Sequence, residues 1–322
     1  RGDTMSRQAA KGGAAGKEPV FKYKTCLQNT IADVLKRRPN FKETEGDDFD
    51  IIWADKEWIR ENFDHTHFDE GVRVNHFRNY FELTRKDLMV KNLKRMKKQL
   101  EREGQAQEAA RFDFFPCTHV LPADYQIFVE DFNRHPSKTW WIAKPIGSAQ
   151  GKGIFLFNSL KDVSSWKKDL RFSKDSGKEK QEPEVSKYVV SKYIDNPFLV
   201  GGKKFDLRLY ALVTCYSPLT VWMYRSGFAR FSKSRYSMHH DEITNTHVHL
   251  TNVAVQKTAP GYDHDTGCKW ALRSLKLYII SRFGREAAHE LMVDIQMLII
   301  RSLLAVQKVG APHTHCAPHI HH

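Results

Sequence analysis

Length, composition and charge narrow the class of protein before any motif is considered. The chain has 322 residues, 41% of them hydrophobic, so it can bury one large core or about two to three smaller ones. It holds no run of about eighteen apolar residues and begins without a secretory leader pattern, so neither a membrane span nor export is predicted. A formal net charge of +13 indicates an acidic partner, which could be nucleic acid, an anionic membrane or an acidic protein tail.

The cysteines and aromatic residues reduce these options. Five scattered cysteines, odd in number and without a C-x-x-C pair, argue against a disulfide framework and a zinc ribbon and fit a reducing cytoplasm. The basic and aromatic residues do not interleave as in an RNA-binding module. We therefore expect no nucleic-acid partner and no membrane partner.

The first third of the chain predicts a tail, a small αβ unit and a basic helix. Residues 1–20 are rich in Gly, Ala and Lys and predict a disordered tail. The pattern then predicts a helix over Thr25–Arg37, a strand over Asp50–Ala54 and a short helix over Glu57–Phe63.

A basic amphipathic helix is predicted over Leu88–Arg111. Its apolar residues recur at helical spacing, and its positive charges cover the remaining surface. This surface is either a solvated face or a docking surface for an acidic polymer, and the pattern leaves both open. The basic residues are Lys91, Lys94, Arg95, Lys97, Lys98, Arg102 and Arg111.

The remainder is predicted as a β-rich section followed by helices. A polar stretch at 173–186 predicts a flexible loop. Further strands are predicted at Tyr188–Ile194, Leu207–Cys215 and Thr220–Tyr224, and helices from Lys269 to Gln307. The expected domains are an N-terminal αβ domain over 21–135 and a larger domain over 136–309, followed by a histidine-rich tail over 310–322.

A glycine-rich loop at 147–153 joins two short apolar runs, which predicts a β-hairpin. Glycine lets backbone N–H groups approach an anion, and Lys144 and Lys152 add positive charge, so the loop is a candidate phosphate cover. The sequence matches neither the dinucleotide fingerprint nor the Walker pattern, so a purely structural hairpin remains the alternative.

A second charged pattern follows at Lys204-Phe205-Asp206-Leu207-Arg208. Alternation with period two places Lys204, Asp206 and Arg208 on one face of a strand. Such a face either binds a ligand or is a surface strand that neutralises its own charge.

These motifs together resemble the tubulin tyrosine ligase-like family, and within it the monofunctional tubulin polyglutamylases of cilia. The similarity covers roughly Phe21 to Val309. It implies an α+β ATP-grasp fold preceded by a small N-terminal αβ domain. The motifs are Asn62–His65, His76–Asn79, Glu82–Lys86, Met89–Leu93, Gln150–Phe155, Gly201–Arg208 and His249–Ala254.

The resemblance implies roles for individual residues around an ATP held between two β-layers. Lys144 would contact phosphate, Arg230 would hold the carboxylate of the incoming glutamate, with Lys269 a weaker candidate, and Arg208 would steady phosphate or the acceptor. The nucleotide would also contact Gln150, Gly151, Lys152, Gly153, Ile154, Ser191, Lys192, Tyr193, Ile194, Lys204, Asp206, Thr251 and Asn252.

The implied reaction is an ATP-dependent ligation. ATP would phosphorylate a glutamate side chain on a tubulin C-terminal tail, and free L-glutamate would attack the acyl phosphate. The implied cofactors are ATP and Mg²⁺, and the implied partners are tubulin and microtubules. The resemblance also implies a location in the cytoplasm on the cytoskeleton, at the axoneme or basal body of a cilium.

The C-terminal end departs from this pattern. The family's two metal-binding strands after the helix at 295–309 have no counterpart, and residues 310–322 form a histidine-rich end. We therefore expect a truncated fold, no metal ligands in this chain and impaired transfer, because magnesium needs hard oxygen ligands. The alternative function is a catalytically inactive tubulin- or microtubule-binding module.

Overall fold

A computed structural model describes residues 19–69, 71–163, 187–262 and 268–310. It divides into two compact units, with a division between Tyr80 and Phe81. Most of the predicted N-terminal tail, the predicted flexible loop at 173–186 and nearly all of the histidine-rich tail lie outside the described residues.

The first unit is a small parallel sheet with two helices. The predicted helix over Thr25–Arg37 is wrong at its start, because the chain remains extended to Thr25 and the Asn29 side chain caps the helix by accepting a hydrogen bond from Ile31 N at 2.9 Å. The strands pair in the order β2-β1-β3-β4, all parallel. The elements are β1 (Phe21–Thr25), α1 (Thr30–Lys36), β2 (Phe41–Glu43), β3 (Ile51–Trp53), α2 (Lys56–Asn62) and β4 (Arg73–Val74).

The second unit begins with helices α3 (Phe81–Thr84), α4 (Lys86–Arg102) and α5 (Ala106–Ala110). The single helix predicted to Arg111 is interrupted after Arg102, because Gly104 adopts a φ of 75° that no helix continues through. On α4, Leu93 is buried against Phe112 and Ala305, so the apolar stripe belongs to the core.

An antiparallel sheet of the second unit carries the predicted hairpin. Helix α6 packs on one face of this sheet, where Phe128 and Trp141 are fully buried with ring centroids 5.1 Å apart. The elements are β5 (Thr118–Leu121), α6 (Tyr125–Arg134), β6 (Trp141–Pro145), β7 (Phe155–Phe157) and β8 (Tyr188–Lys192), in the order β5-β8-β6-β7.

A second antiparallel sheet has the order β13-β12-β9, and helix α9 covers one face with Leu275 and Ile279. The strand predicted over Leu207–Cys215 is two strands, because β9 pairs with β12 whereas β10 pairs with β11. The elements are β9 (Phe205–Arg208), β10 (Ala211–Tyr216), β11 (Leu219–Met223), β12 (Phe228–Phe231), β13 (Lys269–Ala271) and α9 (Leu272–Gly310).

Between these strands lie two short helices, α7 (Thr246–His249) and α8 (Val253–Gln256). Helix α9 is broken at Gly284, where φ is 91°. The mixed helix and sheet architecture agrees with the predicted class. Among the described residues, no helix is both long enough and apolar enough to cross a membrane.

Candidate active site

The glycine-rich loop is the predicted hairpin, and one position at its tip accepts only glycine. Trp141 pairs with Phe157 and Ala143 with Phe155 across β6 and β7. Gly151 has a φ of 89°, and a Cβ built there would lie 2.8 Å from Val255 Cγ2 and 3.4 Å from Asn252 Oδ1. The loop tip therefore rests on the start of α8, where only glycine fits.

Lys86, the first residue of α4, fixes the entrance to this loop. Its Nζ donates to the carbonyl oxygens of Pro145 at 2.9 Å and Ser148 at 2.8 Å. Lys86 stands in a motif that supported the family resemblance, yet no local pattern indicates this contact. It becomes visible only when α4 is packed beside the hairpin.

Lys144 projects from β6 onto the sheet face opposite Trp141 and Ala143. It shares that face with Val189, its partner on β8. Burial, and secondarily the nearby charge of Lys86, lowers the pKa of Lys144. The protonated amine is thus held in a site that disfavours its charge.

Lys204 lies beside Lys144 and begins a hydrogen-bond chain. Lys204 Nζ donates to Tyr193 Oη at 2.8 Å and lies 4.4 Å from the centre of that ring. Tyr193 Oη is 2.9 Å from His249 Nδ1, and His249 Nε2 is 3.0 Å from the Glu242 carbonyl oxygen. This network assigns the proton of the histidine to Nε2, with Nδ1 accepting from the tyrosine.

The surroundings shift the pKa values along this chain. Burial first, and then the charge of Lys144, lowers the pKa of Lys204 to about 8. Burial also raises the pKa of Tyr193 and lowers that of His249. An anion bound between Lys144 and Lys204 would relieve their repulsion and compensate for their burial, which is the chemistry that a phosphate supplies.

Arg230 and Asp206 form a bidentate ion pair in the second sheet. They are register partners on β12 and β9, with Nε donating to Oδ1 at 2.9 Å and Nη2 donating to Oδ2 at 2.5 Å. The hydrogen bond to Asp206 is the main reason that the pKa of Arg230 is raised. Arg230, Lys269 and Thr251 line one small recess. The guanidinium is thus already in the geometry that holds a carboxylate.

The structure brings part of the predicted nucleotide set together. Ile154 joins an apolar cluster with Ile142, Tyr193 and Leu250, next to the lysines. Asn252 begins α8 directly behind Gly151.

The remaining predicted residues are in or next to the same loop and strands, with side chains that are exposed or bonded to other groups. Ser191 is buried and bonds Thr118 Oγ1 at 3.0 Å. The Lys192 side chain is exposed on the opposite face of the sheet, because its register partner there is Trp141. Ile194 is 59% exposed. Gln150, Lys152, Gly153 and Arg208 are also exposed.

The residues around the two lysines do not fit a magnesium ion. Magnesium takes oxygen ligands in near-octahedral geometry. Asp206, the carboxylate nearest Lys204 in the strand, is engaged by Arg230. Within the described ranges, a cluster of three side chains able to hold an ion occurs only at Cys117, His119 and Asp131, on the other face of the first sheet.

Comparison with known proteins supports the resemblance. A probable tubulin polyglutamylase TTLL9 of Rattus norvegicus is 46% identical, and the alignment covers 97% of this chain and 74% of that protein. A probable tubulin polyglutamylase ttll-9 of Caenorhabditis elegans is 44% identical, with 97% and 72% covered. A probable alpha-tubulin polyglutamylase Ttll1 of Tetrahymena thermophila is 43% identical, with 85% and 68% covered.

The family model of the tubulin-tyrosine ligase family matches residues 65–322. The match includes residues 310–322, which the motif resemblance did not reach. Together with the relatives, this match shows that the chain belongs to the tubulin-tyrosine ligase family.

Proposed function

We propose that this chain is an ATP-dependent ligase that adds glutamate to glutamate side chains in the C-terminal tails of tubulin. The names of the relatives indicate tubulin polyglutamylation. The observation that carries the proposal is the approach of two lysines with depressed pKa values, Lys144 and Lys204, beside a glycine-rich hairpin. This arrangement suits a nucleoside triphosphate that lies between the sheet β5-β8-β6-β7 and the sheet β13-β12-β9, as in an ATP-grasp fold.

The phosphates of ATP would lie between Lys144, Lys204 and the loop at 147–153. Lys86 would act as a positioning residue that keeps the loop over them. The apolar cluster around Ile154 would take the adenine ring, with backbone groups of Ser191 to Ile194 at its edge. Thr251 and Asn252 would close the site beside the loop.

The ligation would proceed in two steps, and the second sheet would bind the amino-acid substrate. The γ-phosphoryl group of ATP passes to a carboxylate oxygen of the tail, and ADP leaves. The amine of free glutamate then attacks the acyl carbon, an amide bond forms, and phosphate departs. Arg230 would hold the α- or side-chain carboxylate of free glutamate through its Nε–H and Nη2–H groups, a pair of parallel donors that now binds Asp206. Lys269 lies beside it.

An exposed basic face on α4 would attract the acidic tail. Lys91, Lys98 and Arg102 have no ion-pair partner among the described residues, and their spacing of seven and four places them on one side of the helix. By contrast, Lys97 pairs with Asp113, and Arg111 with Glu108. The basic helix is thus partly structural and partly free for docking. A tubulin substrate would place the protein on the cytoskeleton, with the cilium as the expected site.

The test is glutamate incorporation. Purified chain, ATP, magnesium and labelled glutamate are incubated with microtubules, and the labelled tubulin tails are located by mass spectrometry. We expect incorporation onto tail glutamates that is lost in Lys204→Met and kept in Lys276→Met, a lysine on α9 outside the site. ATP-independent labelling, or equal labelling by both variants, would refute the proposal.

A second candidate is an inactive microtubule-binding module, favoured by one observation. The carboxylate of Asp206, two residues after Lys204, is engaged by Arg230 and is therefore not free to bind magnesium. In that case nucleotide binding and microtubule pelleting persist without incorporation. The same assay therefore separates the two functions.

A further inference from the structure

A second cluster of reactive side chains lies on the sheet face turned away from Lys144. Cys117 directly precedes β5, and His119 is the second residue of that strand, so the C-x-H spacing points both side chains to one face. Asp131 reaches them from α6, which packs on this face. His119 is 2% exposed, and the Asp131 side chain is 24% exposed.

The three ligand atoms are spaced like three corners of a tetrahedron around an ion. Cys117 Sγ lies 3.4 Å from His119 Nε2 and 3.6 Å from Asp131 Oδ2, and His119 Nε2 lies 3.1 Å from Asp131 Oδ2. Zinc bonds of about 2.3 Å to sulfur and about 2.0–2.1 Å to nitrogen or oxygen give edges of roughly 3.3–3.6 Å in tetrahedral geometry. An ion fits with only small shifts of the side chains.

We propose that Cys117, His119 and Asp131 bind a divalent transition metal of the zinc class, with a fourth position open to water. One thiolate, one imidazole and one carboxylate form a mixed set that zinc and its neighbours accept and that magnesium does not. The site would fasten the start of β5 to α6 on the face opposite the proposed nucleotide.

The charge balance supports a bound cation. Binding releases the Cys117 thiol proton, and the proton on His119 Nε2 moves to Nδ1, so thiolate and carboxylate together neutralise the ion. Without metal, the Asp131 carboxylate accepts a hydrogen bond from His119 Nε2–H at 3.1 Å, and His119 Nδ1 has no hydrogen-bond partner among the described residues. A buried polar atom without a partner is costly, which marks this histidine as unusual.

The surrounding charges set the conditions for binding. Lys94 and Lys192 lie near Cys117, Lys94 and Asp124 lie near His119, and burial is the main reason that the pKa of Cys117 is raised. Entry is possible through the partly exposed Asp131 side.

Cobalt titration tests the proposal. The full chain carries Cys316→Ser, because the histidine-rich tail could bind metal through that thiol, and it is freed of metal with a chelator before Co²⁺ is added. We expect one equivalent of cobalt with a thiolate charge-transfer band, abolished in Cys117→Ser and unchanged in Cys26→Ser, an exposed cysteine of the other unit. Asp131→Asn removes a charged ligand and should weaken cobalt binding at least about tenfold, because even the loss of a group that only orients a ligand costs about that much.

An independent measurement covers the case in which Cys117→Ser fails to fold. In the chain with Cys316→Ser, zinc should slow the alkylation of Cys117, measured by peptide mass spectrometry, while alkylation of Cys26 keeps its rate. The absence of a thiolate band, a band that persists in folded Cys117→Ser, or equal alkylation of Cys117 with and without zinc would show that the cluster is a hydrogen-bonded core triad.

Discussion

Arg230 holds Asp206 through two parallel N–H to oxygen bonds, one from Nε and one from Nη2. The two residues lie on neighbouring strands in direct register, and Lys269 occupies the next position across the sheet. The pair places a carboxylate-binding fork, already charged and aligned, at the recess proposed for glutamate. A substrate carboxylate would have to share or replace Asp206 there.

The first prediction concerns this fork. Arg230→Lys keeps the charge but loses the bidentate geometry, so catalytic efficiency toward glutamate should fall about tenfold to a hundredfold, as for the loss of a charged hydrogen bond. Steady-state kinetics at varied glutamate measure it. Arg225→Lys, on an exposed loop, is the matched control and should be neutral. An unchanged KM for glutamate in Arg230→Lys would contradict the assignment.

The second prediction concerns pH. The pKa of Lys204 is lowered to about 8, so this amine is charged below pH 8 and neutral above it. Phosphate binding favours the charged form, and ATP affinity should therefore decrease as pH rises through 8. Calorimetry from pH 7 to about 10 would measure the change. Lys204→Arg keeps its charge over this range and should flatten the profile; an equally steep profile in that variant would assign the effect to another group.

The third prediction concerns the loop backbone. Gly151→Ala places a Cβ 2.8 Å from Val255 Cγ2 at a φ of 89°, so the loop must shift. A strain of about 1–3 kcal/mol should weaken ATP binding about tenfold or more. Gly147→Ala, in the same loop, meets no atom within 4 Å and should bind ATP normally. Equal affinities in nucleotide titrations of the two variants would rule out a role for the tip.

The fourth prediction concerns Lys86. Lys86→Met removes the donors to the Pro145 and Ser148 carbonyl oxygens and should raise the KM for ATP about tenfold, as expected for the loss of hydrogen bonds from a charged group. The KM for glutamate should stay constant. Lys276→Met, on α9 outside the site, controls for charge. If ATP kinetics were the same in both variants, the loop would not depend on this anchor.

The fifth prediction concerns docking. Replacement of Lys91, Lys98 and Arg102 by alanine should weaken microtubule pelleting and reduce its dependence on salt, because fewer charges are screened. Alanine replacements of Lys22, Lys24 and Lys36 change the net charge equally, but these lysines pair with carboxylates in their own unit. The same loss from both sets would mean that net charge, rather than the α4 face, attracts the tail.

Local patterns in the sequence correctly predicted the hairpin and the family. Alternating apolar residues and glycines predicted the hairpin at 141–157, and Gly151 and Gly153 have the positive φ values that such a loop requires. The family resemblance, drawn from motifs along the chain, agrees with the matched family model. The hairpin depends on spacing within a few residues, and each family motif is itself a short run, so both can be identified from the sequence.

Tertiary structure decided the contacts that the chemistry requires. Lys86 is 59 and 62 residues from the carbonyl groups that it binds, and Arg230 is 24 residues from Asp206. The strand predicted over 207–215 divided because its two halves pair with different partners. The sequence by itself determined which residue types and turns are present. Only the fold decided which charges meet, because distant strands and helices come together through packing that no local spacing encodes.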